Sequence, residues 1–254
     1  MPRLDDVRES LIQALDSRYG LPPSPEPFSN REAGLVGSQT GLTLFERLSR
    51  VWLGLVATPR VAASAFEALR DAGMLEPDAL AAANPLATDE ILKNARVAMA
   101  IKSLRPLQNV ARWLSDHGPT LDAEGVGKLS TEAIRDEWRS INGIGLARAD
   151  ALLLFGLDRV SYPIDRATYR VLIRHGWLDS TAEYDEARLV VERLAQADGS
   201  RGGGLDDRAA AKLLANLSFW FERLGRDFCK PNLAKCESCP LRTALPPNGP
   251  VEVE

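Results

Sequence analysis

Wherever the chain carries a readable hydrophobic period, that period is helical. Leu4, Val7, Leu11, Ile12 and Leu15 fall on one face at helical spacing, and Leu44, Phe45, Leu48, Val51, Trp52 and Leu55 form a second, more strongly apolar stripe. Between them, Leu21-Pro22-Pro23-Ser24-Pro25-Glu26-Pro27 breaks the pattern and predicts a linker. Thr58-Pro59 supplies a cap and a first-turn proline for the next helix, which Gly73 ends. Further helices are predicted over 89–103, 106–117 and 131–140, the last capped by Ser130. A helical run from Leu146 to Gly156 follows, then a helix that opens at Asp165 and stops at His175-Gly176. Two more are predicted over 182–197 and 206–224, separated by a flexible insertion, Asp198-Gly199-Ser200-Arg201-Gly202-Gly203-Gly204. No stretch alternates with the period of a strand, so the predicted class is all-α.

Composition narrows this without changing it. A chain of 254 residues with 45% hydrophobic and 26% charged side chains reads as an ordinary globular protein, large enough for one large or two small cores. Met1-Pro2-Arg3-Leu4-Asp5-Asp6 carries charge where a signal peptide would be apolar, and no apolar run approaches a membrane span. A cytoplasmic protein without membrane contact is the expectation. The three cysteines all lie between Cys229 and Cys239 and cannot all pair with one another. That argues for a metal site or free thiols and against a disulfide framework.

A net charge of −4 gives no support to nucleic-acid binding, but the local balance differs. From Arg139 to His175 there are six arginines against three aspartates, and from Phe221 to Arg242 five basic against three acidic residues. The first basic stretch contains Ile141-Asn142-Gly143-Ile144-Gly145, between two predicted helices. Two glycines flanking one apolar residue allow a tight backbone turn. They leave the first N–H groups of the next helix free at its positive end, which is a phosphate site. Asn142, Gly143, Ile144 and Gly145, with Arg148 one turn further on, are the candidate contacts. A Gly-x-Gly turn alone is a weak signal, because many helical pairs turn this way for packing. Asp165, in Tyr162-Pro163-Ile164-Asp165-Arg166, reads locally as a helix N-cap.

Taken together, the Gly143-Ile144-Gly145 turn, Asp165 twenty residues later, and the Cys229-x6-Cys236-x2-Cys239 spacing resemble the endonuclease III-like DNA glycosylases. The resemblance runs from about Leu42 to Leu241. It implies two helical domains with a cleft between them. One is a six-helix barrel over 30–160 that carries the helix-hairpin-helix, and the other joins 1–29 to 161–254 and carries an iron–sulfur loop. It implies that Asp165 is the catalytic carboxylate, facing the cleft, stabilising positive charge on the sugar as the base departs and orienting the nucleophile. It also implies a monomer acting on double-stranded DNA that contains a damaged base or an abasic site.

The chain departs from the family in three places. Bifunctional members place a lysine two residues after the second glycine, where it attacks the sugar; here that position is Ala147. Arg148 cannot substitute, since a guanidinium does not deprotonate at working pH. The expected activity is therefore base release by hydrolysis, with weak or no strand cleavage at abasic sites. Its rivals are a non-catalytic lesion-binding protein on the same fold and a residual abasic-site lyase. Val56 stands where the family often has a glutamine that fills the gap left by a flipped base; it is either an apolar wedge or an ordinary core residue. The fourth cluster cysteine is replaced by Leu245. Cys229, Cys236 and Cys239 are thus expected to hold a four-iron cluster with a non-cysteine fourth ligand, or a three-iron cluster. Zinc or free thiols remain the alternatives. His117 and His175, both at predicted helix ends, receive no catalytic role, and the tryptophans, with Phe219, read as core.

Overall fold

The computed structural model describes residues 4–21, 41–117, 128–195 and 206–252. Every regular element among them is helical, so the fold is all-α. The helices are α1 (Leu4–Tyr19), α2 (Leu44–Val56), α3 (Pro59–Asp71), α4 (Pro77–Ala82), α5 (Pro85–Asn94), α6 (Arg105–Asp116), α7 (Thr131–Ser140) and α8 (Leu146–Ala151). They continue with α9 (Arg166–Arg174), α10 (Tyr184–Arg193) and α11 (Asp207–Asp227). The predicted linker beyond Leu21 and the glycine-rich insertion over 198–204 lie outside the described residues. The chain divides into two compact units, Ser24–Leu157 on the one hand and Met1–Pro23 with Asp158–Glu254 on the other.

In the first unit, α2 is the central element. Thr43 opens it with a capping box: its hydroxyl accepts from Glu46 N, and the Glu46 carboxylate accepts from Thr43 N at 2.8 Å. Phe45, Leu48, Val51, Trp52 and Leu53 are buried along it, and each such side chain removed from water stabilises the unit by roughly 1.5–3 kcal/mol. Trp52 Nε1 donates to Ser103 O at 2.7 Å, so the ring is buried without an orphaned donor. After Ala151 the chain loosens into a π turn over Leu152–Gly156 that packs against α2. A Cβ on Gly156 would lie 2.7 Å from Leu48 Cδ2, so glycine here permits the close approach.

The helix expected over 89–103 is two elements with a break between them. Asn84 caps the first from its side chain (Oδ1 accepts from Leu86 N at 2.9 Å), which moves the start back to Pro85. Arg96 ends it in the left-handed region, φ 57°, where Val97 N reaches back to Leu92 O at 2.8 Å. A 3₁₀ turn, Ile101–Leu104, then leads into α6, with Pro106 in its first turn, where its missing N–H costs nothing. Thr58 has N-cap torsions, but its hydroxyl makes no capping bond.

In the second unit, α11 is the core helix. Trp220 Nε1 donates to Gly20 O at 2.7 Å, tying the end of α1 to it. α9 crosses it at Gly225, where a Cβ would collide with Ala167 Cβ. His175 and Gly176 (φ 66°) close α9, as the sequence predicts.

Candidate functional site

The predicted hairpin lies between α7 and α8. Ser130 caps α7, accepting from Ala133 N at 3.1 Å. The turn itself is closed by Ile144 N donating to Ile141 O at 3.0 Å. Gly143 has φ 92°, and a Cβ there would sit 2.6 Å from Pro106 Cγ, so both torsion and space require glycine. Gly145 differs. Its φ of −86° and ψ of 175° suit any residue, and a Cβ would meet nothing within 4 Å. The N–H groups of Gly145, Leu146 and Ala147 take no partner among the described residues, leaving three donors at the start of α8.

Of the other predicted contacts, Asn142 is exposed, while the Ile144 side chain is 3% exposed and anchors the turn in the core. Anything Ile144 offers outward comes from its backbone. Arg148 is exposed, yet its Nη1 donates to Gly143 O at 2.9 Å and its guanidinium lies 5.4 Å from the Trp52 ring centroid. Ala147 is exposed, so the position that lacks an amine is on the surface.

A pair missed at the sequence level fixes the angle of the hairpin. Arg135 of α7 and Asp150 of α8 are 2% and 0% exposed, and the guanidinium grips the carboxylate through Nε at 2.6 Å and Nη2 at 3.3 Å. The available signal was a charge on the buried face of α7, beside Ile134 and Trp138.

Asp165 is exposed and does cap α9, Oδ1 accepting from Thr168 N at 2.7 Å. Oδ2 has no hydrogen bond among the described residues, so one oxygen holds the helix and the other is available. The approach to Asp165 is clamped by residues that no motif named. Tyr162 N donates to Glu192 Oε1 at 2.8 Å, and Glu192 is itself held by Arg188 Nη1 at 3.1 Å. Ile164 N donates to the Tyr184 hydroxyl at 3.1 Å. The Tyr162 hydroxyl, fully buried, lies 3.1 Å from Thr168 Oγ1. Burial, then the nearby Asp165 charge, pushes that phenol well above the usual tyrosine range, so it stays protonated.

The three cysteines line one small cavity with Arg174, His175, Phe228 and Leu245. Leu245, at the family's fourth cysteine position, thus faces the same space. Cys229 N donates to Leu224 O at 2.8 Å and Lys235 N to Phe228 O at 2.9 Å, closing the loop that brings Cys236 and Cys239 back. Buried Arg174 donates from Nη1 to Cys229 Sγ at 3.2 Å and anchors the loop through Lys230 O and Pro231 O at 2.7 and 2.9 Å. Burial pushes the Cys236 thiol up and the Cys239 thiol up to about 11. Without a cation these sulfurs are protonated; a bound metal supplies the charge that ionises them. Burial likewise pushes His175 below the usual histidine value. Among the described residues no three His, Cys, Asp or Glu side chains gather tightly enough for a single ion. Three thiols lining one space are the donor type of an iron–sulfur cluster, one short of the four that a four-iron cluster takes in this family.

The described residues therefore have the fold of the endonuclease III-like, helix-hairpin-helix DNA glycosylases, and the chain resembles that family as a divergent relative. No protein-family profile matches it. It is 28% identical over 136 residues to a provisionally named DNA repair glycosylase of Methanocaldococcus jannaschii, covering 54% of this chain and 56% of that one. The chain thus spans about half the length of that relative. It is 27% identical over 189 residues to endonuclease III of Sulfolobus acidocaldarius, with 73% and 74% of the two chains covered. Among solved structures, endonuclease III in a trapped covalent intermediate with DNA superposes at a TM-score of 0.60 and 16% identity, over 96% of both chains. No helix among the described residues is long and apolar enough to cross a membrane.

Proposed function

We propose that this protein is a DNA glycosylase of the endonuclease III type, one that releases a damaged or mismatched base by hydrolysis of the N-glycosidic bond. The observation that carries the reading is the Asp165 carboxylate: exposed, fixed by a cap through Oδ1, and without a hydrogen bond at Oδ2 among the described residues. The bond between sugar and base breaks heterolytically, and the base leaves with the electron pair and takes up a proton. Positive charge grows on the sugar, where a fixed carboxylate stabilises it. Water adds to the sugar carbon, and its proton passes to Asp165 or to solvent. The neighbouring endonuclease III is trapped covalently on DNA; here Ala147 supplies no amine for such a bond. The turn from Asn142 to Gly145, with Arg148, is read as the clamp on the phosphate backbone, through the N–H groups at the start of α8 that take no partner among the described residues. Cys229, Cys236 and Cys239 are read as ligands of an iron–sulfur cluster, which when bound supplies Lewis-acidic iron that fixes the C-terminal loop against Arg174.

The test is a panel of duplexes carrying damaged, mismatched or missing bases, with free base and strand breaks scored separately. Free base with breaks appearing only after alkali is the expected product pattern, and borohydride is expected to trap no protein–DNA adduct. A strong adduct would establish an amine nucleophile. Tight lesion binding with neither product would identify a binding protein on the same fold.

A further inference from the structure

The segment Tyr162-Pro163-Ile164, which delivers Asp165 to α9, belongs to no regular element, and its proline leaves it N–H groups at Tyr162 and Ile164 alone. Side chains of α10 take both. Tyr162 N donates to Glu192 Oε1 at 2.8 Å, and Ile164 N donates to the Tyr184 hydroxyl at 3.1 Å. Tyr184 opens α10 and Glu192 follows about two turns later, so one helix grips the chain on either side of Pro163.

The grip at Glu192 uses a buried charge. Glu192 is 4% exposed and Arg188 5%, with Arg188 Nη1 donating to Oε1 at 3.1 Å and to Oε2 at 3.3 Å. Such a pair contributes little net stability, because desolvation offsets most of the attraction. A bond from N–H to a charged acceptor is nevertheless about twice as strong as a neutral one, so it fixes the Tyr162 backbone closely. Tyr162 passes that position on. Its ring is wholly buried, its hydroxyl lies 3.1 Å from Thr168 Oγ1, and Thr168 N donates to Asp165 Oδ1 at 2.7 Å. Asp165, itself exposed, is thus fixed both by its own cap and by the backbone that leads into it. We infer that Tyr184 and Glu192 are positioning residues for the Asp165 carboxylate, and that α10 through them sets the rate of base release. This rests on the glycosylase reading above.

The test is single-turnover release of free base by wild type, Tyr184→Phe, Glu192→Leu and Glu192→Gln on the best substrate of the duplex panel, with affinity and melting temperature measured alongside. Tyr184→Phe removes one hydroxyl and keeps the ring. Its rate should fall by about ten- to a hundredfold, the cost of a reacting group set slightly out of place, while affinity stays the same. Glu192→Leu should lose at least as much, and Glu192→Gln, which keeps an oxygen for Tyr162 N, should recover part of the loss. Added to Asp165→Asn, Tyr184→Phe should cause no further loss, because a clamp that acts through the carboxylate then has no charge left to place. A full further loss in that background, or an unchanged rate in Tyr184→Phe alone, would overturn the positioning role and leave the glycosylase reading standing. Amide exchange of Thr168, followed by nitrogen-15 NMR, reads the Asp165 cap without any activity and should speed up in Tyr184→Phe. Unchanged exchange would remove the clamp, whereas a wild type that releases no base from any duplex would remove the glycosylase reading and the role in catalysis with it.

Discussion

Gly143 and Gly145 share one turn and are glycine for different reasons. Gly143 is required by the fold, through its positive φ and the Pro106 ring packed where a Cβ would go. Gly143→Val should therefore lower stability by about 1–3 kcal/mol, the usual cost of a side chain forced into such a backbone, and thermal unfolding measures this. Gly145 has ordinary torsions and open space around it. If that space is where a phosphate approaches, Gly145→Val should melt like wild type yet bind damaged and undamaged duplexes more weakly by the same factor, as measured by fluorescence anisotropy. Equal binding by this variant would take the hairpin out of the interface. Ala147 bears on the chemistry rather than the fold. The position is on the surface, so Ala147→Lys should be tolerated and should create borohydride trapping where wild type shows none.

At the scale of elements, the hairpin is held by a buried ion pair. Arg135→Met would take from the buried Asp150 carboxylate the guanidinium that grips it through two bonds. Breaking such a pair from one side costs about 3–5 kcal/mol, and replacing both partners with apolar residues recovers most of it. Urea denaturation of Arg135→Met and of the Arg135→Met/Asp150→Leu double variant should show this pattern. Additive losses would mean the pair is not what holds α7 to α8. What could be read from the sequence divides along the same line. Ser130, Asp165 and His175-Gly176 were legible because a cap acts within three or four residues of itself. The break after α5 was not, because the left-handed residue is Arg96 rather than a glycine. The clamp of Glu192 and Tyr184 on the loop before Asp165 was not, because its partners are 30 and 20 residues away. The cysteine spacing was visible, but that His175 shares the cavity is a consequence of tertiary packing alone.

At the scale of the whole molecule, the overall charge of −4 leaves the basic stretches around the hairpin and the cysteine loop as the source of the duplex affinity proposed above. Binding should weaken steadily as salt rises, with a slope set by the few phosphates contacted, and lesion preference should change less than affinity. The central claim is that Asp165 promotes base release with water as the nucleophile. Its most direct test is single-turnover release of free base by wild type and Asp165→Asn on the best substrate of the panel, with affinity for the same duplex measured alongside. The asparagine keeps the shape and the cap but removes the negative charge. The rate should fall by about a hundredfold or more, the usual cost of a lost transition-state interaction, while affinity holds or improves. An unchanged rate in the variant would contradict the account.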